Sequence, residues 1–247
     1  HQETLGDRPV ARLRRECLQV QGSASALTSA TLPGKFARPL ARGCDPLSAH
    51  NDLFDRAFGA FLFDMDGTVL NSIAAAERIW SAWAVRHGVD VETFLPTIHG
   101  ARAIDTINRL NLPGVDAEAQ AAFITAAEIE DVEGIVEIPG AAAFLSQLPK
   151  DRWAMVTSAP RDLALRRMAA AGIPEPAVMI TAEDVKAGEP EPAGYLLAAE
   201  RLGFQPAECL IFEDATVGIQ AAEAAGASLM IITTTHQHPL ETEHATL

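Results

Sequence analysis

Ala60-Phe61-Leu62-Phe63-Asp64-Met65-Asp66-Gly67-Thr68-Val69-Leu70 is an apolar run that stops on a carboxylate, then carries a second carboxylate two residues on, at a glycine turn. A strand apolar at every position has both faces covered, which is the habit of a parallel sheet in an α/β domain. Working outward, similar short apolar runs stand at Trp153–Val156, Val178–Ile180, Leu210–Phe212 and Ser228–Ile232. Helical patterns lie between them at Asp162–Ala171, Gly194–Leu202 and Val217–Ala225, and each ends beside a glycine, Gly172, Gly203 or Gly226. Strand and helix in alternation predict an α/β fold with a Rossmann-like parallel sheet.

One interval breaks the alternation. Between Leu70 and Pro139 no strand pattern is legible, and helices are expected at about Ile73–His87, Ala101–Leu110 and Ala117–Val132. A helical block inserted after the first strand overhangs the carboxyl ends of the strands, where such sheets bind ligands. It reads as a small helical cap. The expected organisation is an N-terminal extension over 1–57, an α/β core over 58–71 and 138–247, and a cap over 72–137. Trp80 and Trp83 are expected in the core of the cap.

Each strand of the core ends on a polar group. Asp64 and Asp66 follow the first, Thr157 and Ser158 the second, Asp184, Lys186 and Gly188 the third, and Glu213 and Asp214 the fourth. Asp64 suits a nucleophile. Asp66, on the same turn, suits a proton donor and acceptor. The carboxylates form a hard-oxygen site for Mg²⁺, and the hydroxyls of Thr157 and Ser158 suit phosphate oxygens. Four polar stops at one sheet edge predict a Mg²⁺-phosphate site.

Charge bounds the partners. The 247 residues hold 19 Lys+Arg and 33 Asp+Glu, a formal net charge of −14. Residues 58–247 carry 11 basic and 27 acidic residues, whereas 1–57 carry 8 and 6. So acidic a chain is poorly suited to nucleic acid or to an anionic membrane surface. No apolar run approaches the ~18 residues of a membrane helix. Cys17, Cys44 and Cys209 lack CxxC spacing, which points to a reducing compartment and away from structural zinc. A cytoplasmic monomer or weak dimer acting on a small phosphorylated metabolite is expected, with the basic 1–57 segment leaving organelle targeting open.

Asp64-Met65-Asp66-Gly67-Thr68, Thr157, the Lys186–Pro192 segment and Glu213-Asp214-Ala215-Thr216-Val217-Gly218-Ile219 resemble, in order and spacing, the four motifs of the haloacid dehalogenase superfamily. The resemblance covers about residues 59–238. It implies that Asp64 forms a phosphoaspartate and that Asp66 is the general acid/base, with its backbone carbonyl also on Mg²⁺. It further implies that Thr157, with Ser158 beside it, binds the phosphoryl group, and that Asp214 and its neighbour Glu213 serve the metal. His99-Gly100-Ala101-Arg102 is similar to a cap segment of sugar-phosphate and glycerol-phosphate phosphatases, so His99 and Arg102 are candidates for substrate binding.

The third motif departs from the family pattern. Glu189 stands in Gly188-Glu189-Pro190-Glu191-Pro192 where the family carries a lysine. Losing such a cation costs about 3 kcal/mol of transition-state stabilisation. Lys186, three residues upstream, is the candidate replacement. The resemblance implies a Mg²⁺-dependent phosphatase for a small sugar or polyol phosphate. The alternatives are a catalytically impaired binding or regulatory protein, motivated by Glu189, and a sugar phosphomutase.

Overall fold

A computed structural model describes residue 53 and residues 56–238 and 242–247. Apart from three positions, the expectations for residues 1–57, Cys17 and Cys44 included, fall outside the described residues. Phe58–Leu247 forms one compact unit.

The elements run β1 (Ala60–Phe63), β2 (Leu70–Asn71), α1 (Ile73–Arg86), α2 (Val91–Phe94), α3 (Ala103–Leu110), α4 (Ala117–Glu130), β3 (Val136–Glu137), α5 (Ala141–Gln147), β4 (Trp153–Val156), α6 (Arg161–Ala171), β5 (Val178–Ile180), α7 (Ala193–Leu202), β6 (Cys209–Glu213), α8 (Thr216–Ala225), β7 (Ser228–Ile231) and β8 (Ala245–Thr246). Six strands make one parallel sheet in the order β5-β4-β1-β6-β7-β8. The chain leaves β1 for β4 on one side and later for β6 on the other, so the strand order reverses at β1. That is the switch point at which open α/β sheets hold ligands.

β1, β4 and β6 are buried at every residue because both sheet faces are covered. On one face, Leu62, Val156 and Ile211 pack with Tyr195 and Ala199 of α7 and with Ala221 and Ala222 of α8. The opposite face is aromatic: Phe63 stacks on Phe212 at 4.6 Å and meets Phe144 of α5 and Trp153 edge-on. The predicted glycine stops hold: Gly172, Gly203 and Gly226 take left-handed backbone at the ends of α6, α7 and α8.

Between β2 and β3 lie α1 to α4, with a core of their own built on Trp80, Trp83, Phe94, Ile107 and Ile124. Both tryptophans sit in that core as expected, and the Trp83 indole donates to Gln120 Oε1 at 2.9 Å. The sequence reading missed a short ribbon. β2 and β3 pair antiparallel, Leu70 against Glu137 and Asn71 against Val136, and Ile138 N donates to Val69 O at 2.9 Å. Two-residue strands are too short to show a period, so only the tertiary pairing reveals them. The same brevity hid β8 and the four-residue α2.

Candidate active site

β1 delivers Asp64 to the sheet edge, where its backbone N–H donates to Phe212 O at 3.0 Å and locks it to β6. The chain then turns over the fully buried Met65, whose carbonyl accepts from Val69 N and Leu70 N at 3.0 and 3.1 Å. Gly67 is demanded twice. Its φ is +98°, and a Cβ there would sit 2.0 Å from Asp214 Oδ2. The first loop therefore lies directly against the carboxylate that follows β6.

Asp64, Glu213 and Asp214 offer carboxylate oxygens that lie within 4.8 Å of one another. Thr68 Oγ1 and Thr235 Oγ1 donate to Asp214 at 3.3 and 3.5 Å, and His236 Nε2 donates to the Asp214 carbonyl at 2.9 Å. Ala215 N donates to Glu213 Oε2 at 2.7 Å. The remaining oxygens, Asp64 Oδ2 and Glu213 Oε1, are buried with no hydrogen-bond partner. Among the ion pairs of the described residues, none reaches Asp64, Glu189, Glu213 or Asp214. Buried carboxylates without a counter-charge hold their protons. Burial, then Glu213 and Asp214, pushes Asp64 well above the carboxylate range. Burial, then Glu189 and Asp214, does the same to Glu213. Asp214 is pushed up to about 7 by burial and then Asp66, and Glu189 to about 8 by burial and then Asp214. Orphaned hard oxygens in mutual reach fit a divalent cation bound by oxygen ligands.

The second carboxylate of the turn lives differently. Asp66 Oδ1 accepts from Ser72 Oγ at the start of α1 and pairs with Arg167 Nη1 of α6 at 3.0 Å. Arg167 Nη2 pairs in turn with Glu128 Oε1 of α4 at 3.1 Å. Burial lifts Glu128 to about 6 against the pull of Arg167. Thr157, at the end of β4, is fixed by its N–H to Ile180 O at 2.9 Å and accepts from Ala159 N at 3.1 Å, leaving its hydroxyl proton to donate. Asp64, Asp66, Thr157, Ser158, His99 and Asp214 all line one cavity of about 810 Å³, part of it open to solvent, between the sheet edge and the helical block.

Two sequence-derived candidates do not line this cavity. Lys186 is exposed and joins no ion pair among the described residues; its carbonyl accepts from Arg102 Nη1 at 3.3 Å. No ion pair therefore links its ammonium to the carboxylate cluster, as replacement of the missing lysine would require. It follows a 3₁₀ turn over Ala182–Asp184 that is closed by reciprocal Thr181 and Asp184 bonds. Arg102 does not line that cavity but an adjoining one, with Thr157, Ser158 and Glu189. Its guanidinium is taken by Asp105 at 2.6 and 3.1 Å and by the carbonyls of Val185 and Lys186 at 3.3 Å each, so it fastens the start of α3 to the third-strand loop. His99 does face the cavity, with Nε2 3.3 Å from Glu77 Oε1.

Arg167, Glu128 and Ser72 were not found by motif reading. A signal existed for the first two. Arg167 falls on the stripe Leu163, Ala164, Arg167, Met168 that buries α6, and Glu128 lies one turn after Ile124 on the buried side of α4. A charge on an apolar stripe asks for a buried partner.

No described helix is long and apolar enough to cross a membrane. The family model for haloacid dehalogenase-like hydrolases matches residues 58–226. Hexitol phosphatase A of Escherichia coli is 44% identical over 176 residues, spanning 70% of this chain and 82% of that protein. Glycerol-1-phosphate phosphohydrolase 2 of Saccharomyces cerevisiae is 34% identical over 187 residues, 71% and 75% of the two chains. The crystal structure of a hydrolase from Pseudomonas syringae shares the fold, with a TM-score of 0.65 at 24% identity over 73% of this chain and 87% of that one. A carboxylate pair on the first strand's turn, a reversal of strand order beside it and a family match over residues 58–226 agree: the chain belongs to the haloacid dehalogenase-like hydrolases.

Proposed function

We propose that this hydrolase is a Mg²⁺-dependent phosphatase acting on a small sugar or polyol phosphate through an aspartyl-phosphate on Asp64, with residues 72–137 as its cap. The observation that carries the reading is that Asp64 and Asp66 line one cavity, the first among orphaned metal-type oxygens and the second held by one guanidinium and one hydroxyl. Kinship to a hexitol phosphatase supports the substrate class.

Asp64 attacks phosphorus and forms the P–O bond while the ester P–O bond breaks. Asp66 gives its proton to the departing alcohol oxygen. It then takes a proton from the water that attacks the aspartyl-phosphate, releasing phosphate and restoring both carboxyl groups. Thr157 donates its hydroxyl proton to a phosphoryl oxygen, with Ser158 beside it. Asp64, Glu213 and Asp214, with the Asp66 carbonyl, would hold the divalent cation, which supplies neutralisation of the phosphate and of this acidic cluster. The cavity's hydroxyl groups, among them those of Thr125 and Ser72, suit a polyhydroxylated leaving group.

Glu189 favours a second reading, an impaired enzyme retained for binding, because no ion pair among the described residues offsets the cluster it joins. One assay separates the two: purified chain, Mg²⁺ and a panel of hexitol, hexose and glycerol phosphates. Phosphate release that EDTA abolishes upholds the phosphatase. Absent turnover that Glu189→Lys restores upholds the impaired protein.

A further inference from the structure

Arg167 is 6% exposed and Glu128 7%, yet they come from different parts of the unit, Arg167 from a helix of the sheet core and Glu128 from the inserted helical block. The guanidinium spans the divide, with one nitrogen on Asp66 at 3.0 Å, another on Glu128 at 3.1 Å, and Nε left without a partner. Next to it, Arg166 Nε donates to Ile129 O at 3.2 Å, so two consecutive residues of α6 hold the last turn of α4. A buried ion triad is a poor device for stability, since well-packed apolar residues of similar volume serve as well or better. Its geometry does something an apolar contact cannot. A planar fork with two occupied arms fixes the direction of the Asp66 carboxylate by where α4 stands.

We propose that Arg167 is a positioning residue that, with Glu128, couples the seating of α4 on the core to the orientation of the Asp66 carboxylate. The proposal rests on the acid/base role given to Asp66 above. With α4 seated, Glu128 holds the far arm of the guanidinium and Asp66 is aimed into the cavity. With α4 displaced, Arg167 loses its second anchor, and the Ser72 hydroxyl alone is left to fix the Asp66 carboxylate, which then loses its aim. Proton transfer is thereby confined to the state in which the block covers the substrate, and water is denied a ready acid/base at other times.

The test uses the full chain and two readouts. In the double variant Glu128→Met/Arg167→Met, the buried charges vanish together and the contact stays packed. The expectation is a melting temperature near that of the parent, KM for the best phosphorylated substrate within about twofold, and kcat lowered at least about tenfold through misplacement of the acid/base. Recovery of full kcat in this variant would mean that the triad only packs, and the proposal fails. The second readout needs no turnover: amide hydrogen exchange along 117–130 in Asp66→Asn without metal. Exchange there should quicken at least about threefold as the core loses its hold on α4, and unchanged exchange overturns the coupling. Should the chain hydrolyse no phosphorylated compound while α4 still responds to Asp66→Asn, the coupling stands and the phosphatase reading falls.

Discussion

Asp64 and Asp66 are separated by one residue and occupy opposite electrostatic worlds. Asp64 faces Glu213, Asp214 and Glu189 with no ion pair and with an orphaned oxygen. Asp66 has a guanidinium at 3.0 Å and a hydroxyl on the same oxygen. The strand has ended at Phe63, and the tight turn over Met65 sends the two side chains to different neighbours: one to the β6 edge, where carboxylates gather, the other toward α6 and the helical block. A single turn thus separates a site that calls for a bound cation from a carboxylate already supplied with one. Nucleophile and acid/base need that difference, because one must be stripped and aimed at phosphorus while the other must exchange a proton on demand.

The harshest way to break this contrast is to remove the nucleophile. Asp64→Asn should lower phosphate release at least about 10⁴-fold, since no second group can form the covalent intermediate. Steady-state turnover under saturating Mg²⁺ checks it, and undiminished turnover would end the assignment. Glu189→Lys sharpens the contrast from the other side. It places an ammonium in the cluster that lacks one, and kcat should rise about a hundredfold, read with the same substrate at neutral pH. A fall in kcat would mean that the cluster is built around the carboxylate.

Stability against pH gives a third handle. Glu128, Asp214 and Glu189 have folded values of about 6, 7 and 8 against ordinary values of 4.5, 3.8 and 4.5. The folded chain therefore holds more protons than the unfolded one across this range. That contribution to stability is fully present below about pH 4 and is lost as pH rises through 6 to 8. The metal-free chain should melt lower at pH 8.5 than at pH 5.5, by an amount equal to a few kcal/mol, and Mg²⁺ should recover most of it at the higher pH by taking the place of the protons. Calorimetry with and without EDTA decides, and a metal-free melting temperature that rises with pH would refute the claim that the cluster lacks a counter-charge. The smallest effect belongs to Gly67→Ala. A Cβ forced against Asp214 at φ +98° should destabilise the fold by about 2 kcal/mol and weaken Mg²⁺ binding, as titration calorimetry would record.

What could be read from the chain alone follows from where each signal resides. β1, β4, β5, β6 and β7 are contiguous apolar runs that end on polar groups, and their helices end on glycines in left-handed backbone, so local pattern sufficed to find them and to gather Asp64, Thr157 and Asp214 at one edge. Lys186 was picked by its nearness in sequence to position 189, which says nothing of direction, and its side chain is exposed. Arg102 was read as a substrate-binding candidate from its motif, and Asp105, one helical turn on, takes its guanidinium locally. The Asp66–Arg167–Glu128 triad joins positions distant in sequence, and no motif spans it; only the misplaced charge on each apolar stripe marks it.

The β2–β3 ribbon gives the helical block a single stalk. The chain departs at Leu70 and Asn71 and returns at Val136 and Glu137, paired side by side, after closing a separate hydrophobic core around Trp83 and Ile124. Departure and arrival points only one strand spacing apart make the block a cassette. It can be lengthened, replaced or exchanged for another with the same two ends, and the sheet beneath keeps its register. What such an exchange must keep is Glu128 and the Ile129 carbonyl, the points where Arg167 and Arg166 of the sheet core are anchored in the insert.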